Sequence, residues 1–472
     1  MRNLMLPLVA ALLVSSGSAA LAQTAAPGAS DPVADKAALK AREKQVRDWR
    51  SQYGEGPYPD EIDAFLQDKP DRLKPYWRAL FVGGERNSVL NFERLGMAAI
   101  EAGDWAVAEK AFDAALLRIE TVYGKNAQAE AARSLFRKES NKAYQGEPYE
   151  RAMAYYYRGL LYLRRNDYDN ARASFKGGEF QDTVSEAEEF KSDFAALNFL
   201  IGWSSKCAGD NAEPDFAAAA AAQPGLVAPP ANHNILLIAE LGHGPAKAQD
   251  GAQKEKVVFV PATGFPEAKA MFMLAPEKGE RITVEPMQAS SVLFQATTRG
   301  GRAMDGVLNG KANWKSGTQA VGSTAMTTGL ALMNNSSGYG NTASAGAALA
   351  IGGALFSAFS STMKADADVR YWDTLPDNIV IGTAAAKARF KATAAFAGSD
   401  GPVDLAPREI TPFTGAKCTL VWTRSRPITG MEDTPGDDLK VRAALARDKK
   451  LAAKNRLFRA SLADFVTIAS KD

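Results

Sequence analysis

The strongest constraint in this sequence is a pattern that occurs twice. Leu95-Gly96, Ala99, Gly103-Asp104-Trp105, Ala108, Phe112 and Ala115 recur at matching offsets as Arg158-Gly159, Tyr162, Asn166-Asp167-Tyr168, Ala171 and Phe175. A third, weaker copy starts at Ile201-Gly202, turns at Gly209-Asp210 and loses register near Pro214. Each residue type has a mechanical reason to be there. Glycine and alanine on facing helices permit close approach, and a Gly-Asp or Asn-Asp step turns the chain and caps the next helix. The aromatic residue fills the space between units. The pattern predicts pairs of helices stacked side by side.

These offsets are those of the tetratricopeptide repeat, whose regular period is about 34 residues. Glycines at 96, 159 and 202 are more widely spaced, and Tyr123 to Glu150 reads as an extra segment with its own helical stretch. The array over 36–225 is therefore short and interrupted. First helices of such repeats line a concave face, which falls here on Leu90, Glu93, Met97 and Ile100, then Met153, Tyr156, Leu160 and Leu163, then Ala196, Phe199, Trp203 and Lys206. Met97, Tyr156, Leu160, Phe199 and Trp203 are the candidate partner-binding residues, because an apolar, aromatic trough suits a peptide or a helix of another protein. The competing reading is that the chain's own insert or C-terminal helix covers that trough.

Beyond Pro224-Gly225 and Pro229-Pro230 the texture changes. Short β-rich runs follow: Asn234 to Leu241, Lys256 to Val260, Arg281 to Glu285, Ser291 to Thr297, Asn378 to Ile381, Arg389 to Phe396 and Thr419 to Thr423. Turn signals separate several of them, so 231–425 is expected to form an antiparallel sheet or small sandwich. Residues 317–363 interrupt it with a Gly/Ala-rich insertion, two uncharged apolar stretches joined by a polar spacer. Each stretch falls short of the ~20 residues that span a bilayer. A basic amphipathic helix closes the chain within 435–472, with Leu439, Val441, Leu445, Leu451, Leu457 and Leu462 as its apolar positions. The fold class expected is α+β and multidomain: degenerate helical repeats, an interrupted antiparallel β-rich domain and a C-terminal helix.

Residues 1–22 have a positive start, a short apolar run and an Ala-x-Ala end, which is the form of a cleaved secretory signal peptide. Residues 23–35 read as a flexible leader. No cysteine lies near the cleavage point to carry a lipid, so the mature chain is expected in the periplasm. Export makes a disulfide permissible, and Cys207 and Cys418 allow one pairing that would staple the two halves of the chain. Two separate buried thiols are the alternative.

Composition narrows the function. Lys+Arg total 56 against 54 Asp+Glu, a balance unlike that of a nucleic-acid or polybasic membrane binder. Only two histidines, His233 and His243, are present, so most zinc sites and histidine-based catalysis lack material. They flank one predicted strand, too far apart to share a metal. Serine-hydrolase, phosphate-loop, dinucleotide and zinc-protease motifs are absent. Asp366, Asp368 and Asp373 surround Arg370 without the glycine and glutamate of a calcium loop, so Asp–Arg pairing at a domain seam is the preferred reading. No catalytic residue, metal, cofactor or small-molecule substrate is assigned.

Pro148-Tyr149-Glu150-Arg151, Tyr155-Tyr156-Tyr157-Arg158-Gly159-Leu160 and Ala367-Asp368-Val369-Arg370-Tyr371-Trp372-Asp373-Thr374-Leu375-Pro376 carry a resemblance. Over roughly 85–385 the chain resembles a bacterial family of exported proteins with degenerate tetratricopeptide repeats and an Ala-Asp-x-Arg-x-Trp-x-Thr-Leu-Pro signature. Many of its members are lipoproteins. Some resemble partners of outer-membrane lipoproteins of the penicillin-binding-protein-activator and curli-channel type. The resemblance implies a non-enzymatic cell-envelope accessory role with an envelope protein or lipoprotein as partner, and it supplies no catalytic residues. Asp368, Arg370 and Trp372 are the candidate domain-junction residues. A membrane-active or pore-associated role acting through 317–363 is the second functional reading.

Overall fold

The computed structural model describes residues 32–53, 56–123, 143–182, 193–250, 256–277, 279–298, 368–386, 389–399, 401–428, 434, 436 and 445–469. Residues 1–22, expected to be a signal peptide, the Gly/Ala-rich insertion 317–363 and Asp366 lie outside the described residues. The described residues fall into two compact units, 32–48 and 49–469. In the first, helix begins at Pro32, inside the stretch expected to be leader, as part of α1 (Pro32–Tyr53).

The second unit opens with α2 (Pro59–Leu66) and α3 (Lys74–Gly83), and then builds three helix pairs. They are α4 (Ser88–Ala102) with α5 (Trp105–Tyr123), α6 (Pro148–Arg164) with α7 (Tyr168–Asp182), and α8 (Ala195–Ala208) with α9 (Glu213–Ala222). The first helix of each pair ends in the same way. Asp104 N–H bonds Ala99 O, Asp167 N–H bonds Tyr162 O and Asp210 N–H bonds Ser205 O, each after a left-handed residue, Gly103, Asn166 or Gly209. This six-to-one closure satisfies end carbonyls and reverses the chain. Asp104 and Asp167 then cap the second helices, accepting from Val107 and Asn170 N–H. The repeat glycines act by absence of bulk. A Cβ on Gly96 would lie 2.7 Å from the Phe112 ring, and Gly159 and Gly202 face Phe175 and Phe216 in the same way.

The β-rich half contains eleven strands among the described residues: β1 (Ile235–Leu241), β2 (Ala246–Asp250), β3 (Lys256–Val260), β4 (Glu267–Pro276), β5 (Ile282–Val284), β6 (Met287–Ser291), β7 (Asn378–Ala384), β8 (Phe390–Gly398), β9 (Arg408–Ile410), β10 (Phe413–Thr414) and β11 (Thr419–Arg424). They form a five-stranded sheet ordered β10-β11-β1-β7-β6, a four-stranded sheet ordered β5-β4-β8-β9 and a separate β2–β3 hairpin. Pairing is antiparallel except between β1 and β11. The pleat divides β1 between two cores. Leu236 and Ile238 join the helices, whereas Ile235, Leu237, Ala239 and Leu241 meet Phe272, Leu274 and Ala394 of the four-stranded sheet. Helices, central sheet and outer sheet thus stack as three layers. The change of texture near Pro229 is a change of secondary structure, and the helical and β-rich halves share one core across it.

Two expectations about elements are corrected. Val292 to Thr297, expected as strand, is helical, as α10 (Val292–Thr298), with Ser291 at the end of β6 accepting through Oγ from Phe294 N–H. A short apolar run does not distinguish strand from helix, and the serine cap decides it. The last helix, α11 (Lys449–Ala469), buries Leu462 as expected, whereas Leu457 is 75% exposed, and Phe458 and Phe465, outside the expected positions, pack on Phe92 and Trp77. Phenylalanines at i, i+4 and i+7 spacing with Leu462 make the wider apolar stripe.

Gly96→Ala is expected to destabilise the protein by about 1–3 kcal/mol through overpacking against Phe112. Denaturant unfolding of Gly96→Ala, Phe112→Leu and the double variant checks it: the double variant should cost less than the sum of the two. Additive costs would mean that the two side chains are not in contact.

Candidate functional site

The five residues expected to line an open trough are interior. Met97, Tyr156 and Leu160 are 0% exposed, Trp203 1% and Phe199 2%. The concave face is filled by the chain's own five-stranded sheet, and the expectation of a face open to a partner is corrected. Two contacts mark the seam: Tyr156 Oη reaches Glu240 of β1, and Ala196 N–H donates to Ser290 Oγ of β6 at 3.0 Å. Phe199 packs on Phe216 within its own helix pair.

Glu240 is the centre of this seam. The parallel register of β1 and β11 aligns Glu240 with Arg424 and Ile238 with Trp422, so the pleat turns Glu240, Arg424 and Trp422 toward the helices together. Four donors converge on the carboxylate. Trp422 Nε1 and Tyr156 Oη reach Oε1 at 2.9 and 3.3 Å, and Arg424 and Tyr157 Oη reach Oε2 at 2.6 and 2.9 Å. Arg424 also donates to Thr374 O and to Tyr157 Oη. Burial raises the Glu240 carboxyl above the ordinary range, and Arg424 with the hydroxyl and indole donors works against that rise. Burial, then the nearby Glu240 charge, pushes both tyrosines far upward, so they stay neutral donors.

A second seam runs through the Asp368 to Pro376 segment. Arg370 is gripped by Asp368 through Nε at 2.9 Å and a terminal nitrogen at 2.6 Å, and it donates to Asn87 Oδ1 at 2.7 Å at the start of α4. Trp372 sends its backbone N–H to Glu150 Oε1 at 2.9 Å and its indole N–H to Thr374 Oγ1 at 2.7 Å, with its ring beside Phe112 and Tyr157. Asp373 pairs with Arg94 at 3.0 Å. Glu150 belongs to the capping box that starts α6, where it accepts from Glu147 N–H at 2.7 Å. Lys247 of β2 reaches across to both acids, 2.8 Å from Glu150 and 3.1 Å from Glu147. Asp368, Arg370 and Trp372 therefore meet at the boundary of helices and sheet.

Cys207 and Cys418 are bonded, with Cα atoms 5.9 Å apart, joining α8 to the start of β11. His233 and His243 stand at opposite ends of β1. The first contacts Thr383 Oγ1 at 2.8 Å and the second stacks on Phe265. Among the described residues no group of three or more His, Cys, Asp or Glu side chains converges as metal ligands, and no helix is long and apolar enough to cross a membrane. The seams' acids and bases are directed mainly at one another. Sequence reasoning missed Glu240, Arg424 and Lys247. The available signal was a single acid in the otherwise apolar run Ile235 to Leu241.

Glu240→Leu is expected to cost about 3–5 kcal/mol, because it strands a buried guanidinium. Adding Arg424→Met should recover part of that loss in equilibrium unfolding, and a double variant no better than the single one would show that Glu240 does not hold Arg424. Comparison of the chain with family models, with curated proteins and with solved structures finds no match, so its functional reading rests on this geometry and on the sequence.

Proposed function

We propose that this chain is a non-enzymatic, exported accessory protein of the cell envelope. Its helix pairs are degenerate tetratricopeptide repeats, and they use their concave face as a cradle for the chain's own sheet. Its partner, an envelope protein or lipoprotein, meets the outer side of the array. The resemblance noted above supports the envelope role. The observation that carries the choice of surface is a matched pair of exposed apolar residues. Leu117 of α5 and Phe180 of α7 stand at the same offset from the repeat glycines Gly96 and Gly159, and they are 63% and 67% exposed. Large apolar side chains held outward on equivalent second helices are the usual anchors of a protein contact.

A photo-crosslinking residue placed at 117 or 180 in intact cells should attach an envelope protein. The same residue at 39, on the exposed part of α1, should not. Absence of adducts from 117 and 180, or equal adducts from all three positions, would overturn the proposed surface. Flotation of the mature chain with liposomes separates this role from a membrane-active one: flotation that depends on 317–363 would favour the latter.

A further inference from the structure

The chain-wide balance of charge hides a local excess. Within 447–461 six bases stand against one acid, Asp448. That acid is spent on the start of α11, where its Oδ1 accepts from Lys450 N–H at 2.8 Å and from Leu451 N–H at 3.3 Å. One of the bases, Arg459, turns inward and donates through Nε to Phe81 O of α3 at 3.0 Å. The other five, Arg447, Lys449, Lys450, Lys454 and Arg456, are exposed, and among the described residues none of them is held in an ion pair. Of the acids on neighbouring elements, Glu85 lies beside Arg118 and Glu61 accepts from Tyr58 N–H at the start of α2. Arginines around the second helix pair, by contrast, are matched with acids: Arg158, Arg164 and Arg165 meet Glu109 or Asp113, and Arg172 meets Asp169 and Asp210.

The helix is fixed by its other side. Phe458 and Phe465 pack on Phe92 and Trp77, Leu462 is buried with them, and Asn455 Oδ1 accepts from Glu85 N–H at 3.0 Å. Helical spacing then turns two neighbouring rows outward. Lys449, Ala453, Arg456 and Ala460 form one, and Lys450, Lys454, Leu457 and Ser461 form the other, all of them exposed. Leu457 is the one large apolar side chain in these rows, and it is 75% exposed. The outward face is thus a low centre of Ala453, Leu457 and Ala460, with Lys449 and Arg456 along one flank and Lys450 and Lys454 along the other.

A leucine between two basic flanks fits a surface that is negatively charged and apolar just beneath. Anionic phospholipid headgroups over acyl chains have that layering. The long bases reach the phosphates, while the leucine and alanines meet the boundary between headgroups and chains. A nucleic acid offers the charge without the apolar layer and leaves Leu457 without a use. Such a contact is peripheral. Among the described residues no helix is long and apolar enough to cross a bilayer, and α11 spends its wider apolar stripe on its own protein.

We propose that the outward face of α11 docks the protein on a bilayer surface rich in anionic phospholipid. Attraction is electrostatic, and Leu457 adds a shallow apolar contact. Each basic side chain held near such a surface strengthens binding by about fivefold. Added salt weakens the attraction, because the screening length shortens. The face goes beyond the envelope reading and is independent of the contact at Leu117 and Phe180 and of residues 317–363.

Flotation of the mature chain with vesicles tests it. At low salt the chain should rise with vesicles of phosphatidylcholine and phosphatidylglycerol in equal parts, and stay behind with phosphatidylcholine alone. Lys450→Gln/Lys454→Gln/Arg456→Gln should lower the binding constant by about a hundredfold, and Leu457→Ser by a few fold. Lys176→Gln/Lys269→Gln/Lys391→Gln removes the same charge from exposed positions elsewhere and should leave binding unchanged. Because the substituted side chains are exposed, both triple variants should keep the thermal midpoint of the wild type. Absence of flotation with the anionic vesicles, or flotation unaltered by the α11 substitutions, would overturn the proposal. Equal loss from the two triple variants would mean attraction by net charge alone and would also overturn it. So would a duplex oligonucleotide bound as tightly as the vesicles, with vesicle binding indifferent to Leu457→Ser.

Discussion

A carboxylate in a strand that is buried along its whole length must find its partners inside the protein, and this requirement organises the molecule. Glu240 lies in β1 among apolar neighbours on both faces. An isolated charge there would be prohibitively costly, so donors have to be brought to it. Two come from α6, as consecutive tyrosines, and two from β11, as Trp422 and Arg424. The strand register delivers the β11 pair and the helix delivers the tyrosines, so the network closes only when the sheet lies against the concave side of the helices. A network of this kind adds little net stability compared with apolar packing, but it penalises every arrangement that leaves a member unpaired.

The same logic gives the second seam its form and sets a gradient of satisfaction. Glu240 accepts four hydrogen bonds. Glu150 accepts from Glu147 N–H, Trp372 N–H and Lys247, among others. Glu93, close by, accepts none among the described residues. The first two acids lie where main-chain elements lock together, and their donors are fixed by a strand register and a helix start. Among the described residues Lys247, on the hairpin, pairs with Glu147 and Glu150.

Features set by local stereochemistry were legible in the sequence. The Gly96, Gly159 and Gly202 positions, the Gly-Asp and Asn-Asp turns and the helical character of the front half depend on close approach and on left-handed turn residues, which one stretch of chain encodes by itself. Strands β1, β3, β5, β7, β8 and β11 were visible as apolar or β-branched runs. Strand β4 was missed: Glu267 to Pro276 mixes Lys269 with three methionine and phenylalanine residues, and its alternation is broken by a bulge near its start. The inward face of α11 was misjudged because leucines were weighed over phenylalanines. What fills the concave face was not legible at all. An apolar face reads identically whether a visitor or the chain's own sheet covers it, and the partner of Tyr156 is distant in sequence.

That ambiguity bears on function. Concave-face residues of helical repeats are ordinarily the first place to look for a partner, and here that face is spent on internal order. In the proposed role, recognition uses what remains outside, where side chains such as Leu117 are exposed on a helix packed over the filled face. Internal filling lowers the entropy lost on binding, since the presenting helices are ordered before any partner arrives. Leu117 and Phe180 are each borne by a second helix packed on its first helix, through Phe112 against Gly96 in one pair and Phe175 against Gly159 in the other. The repeat glycines, which in a longer array would only set the curvature of a groove, here set how firmly the outer face is presented.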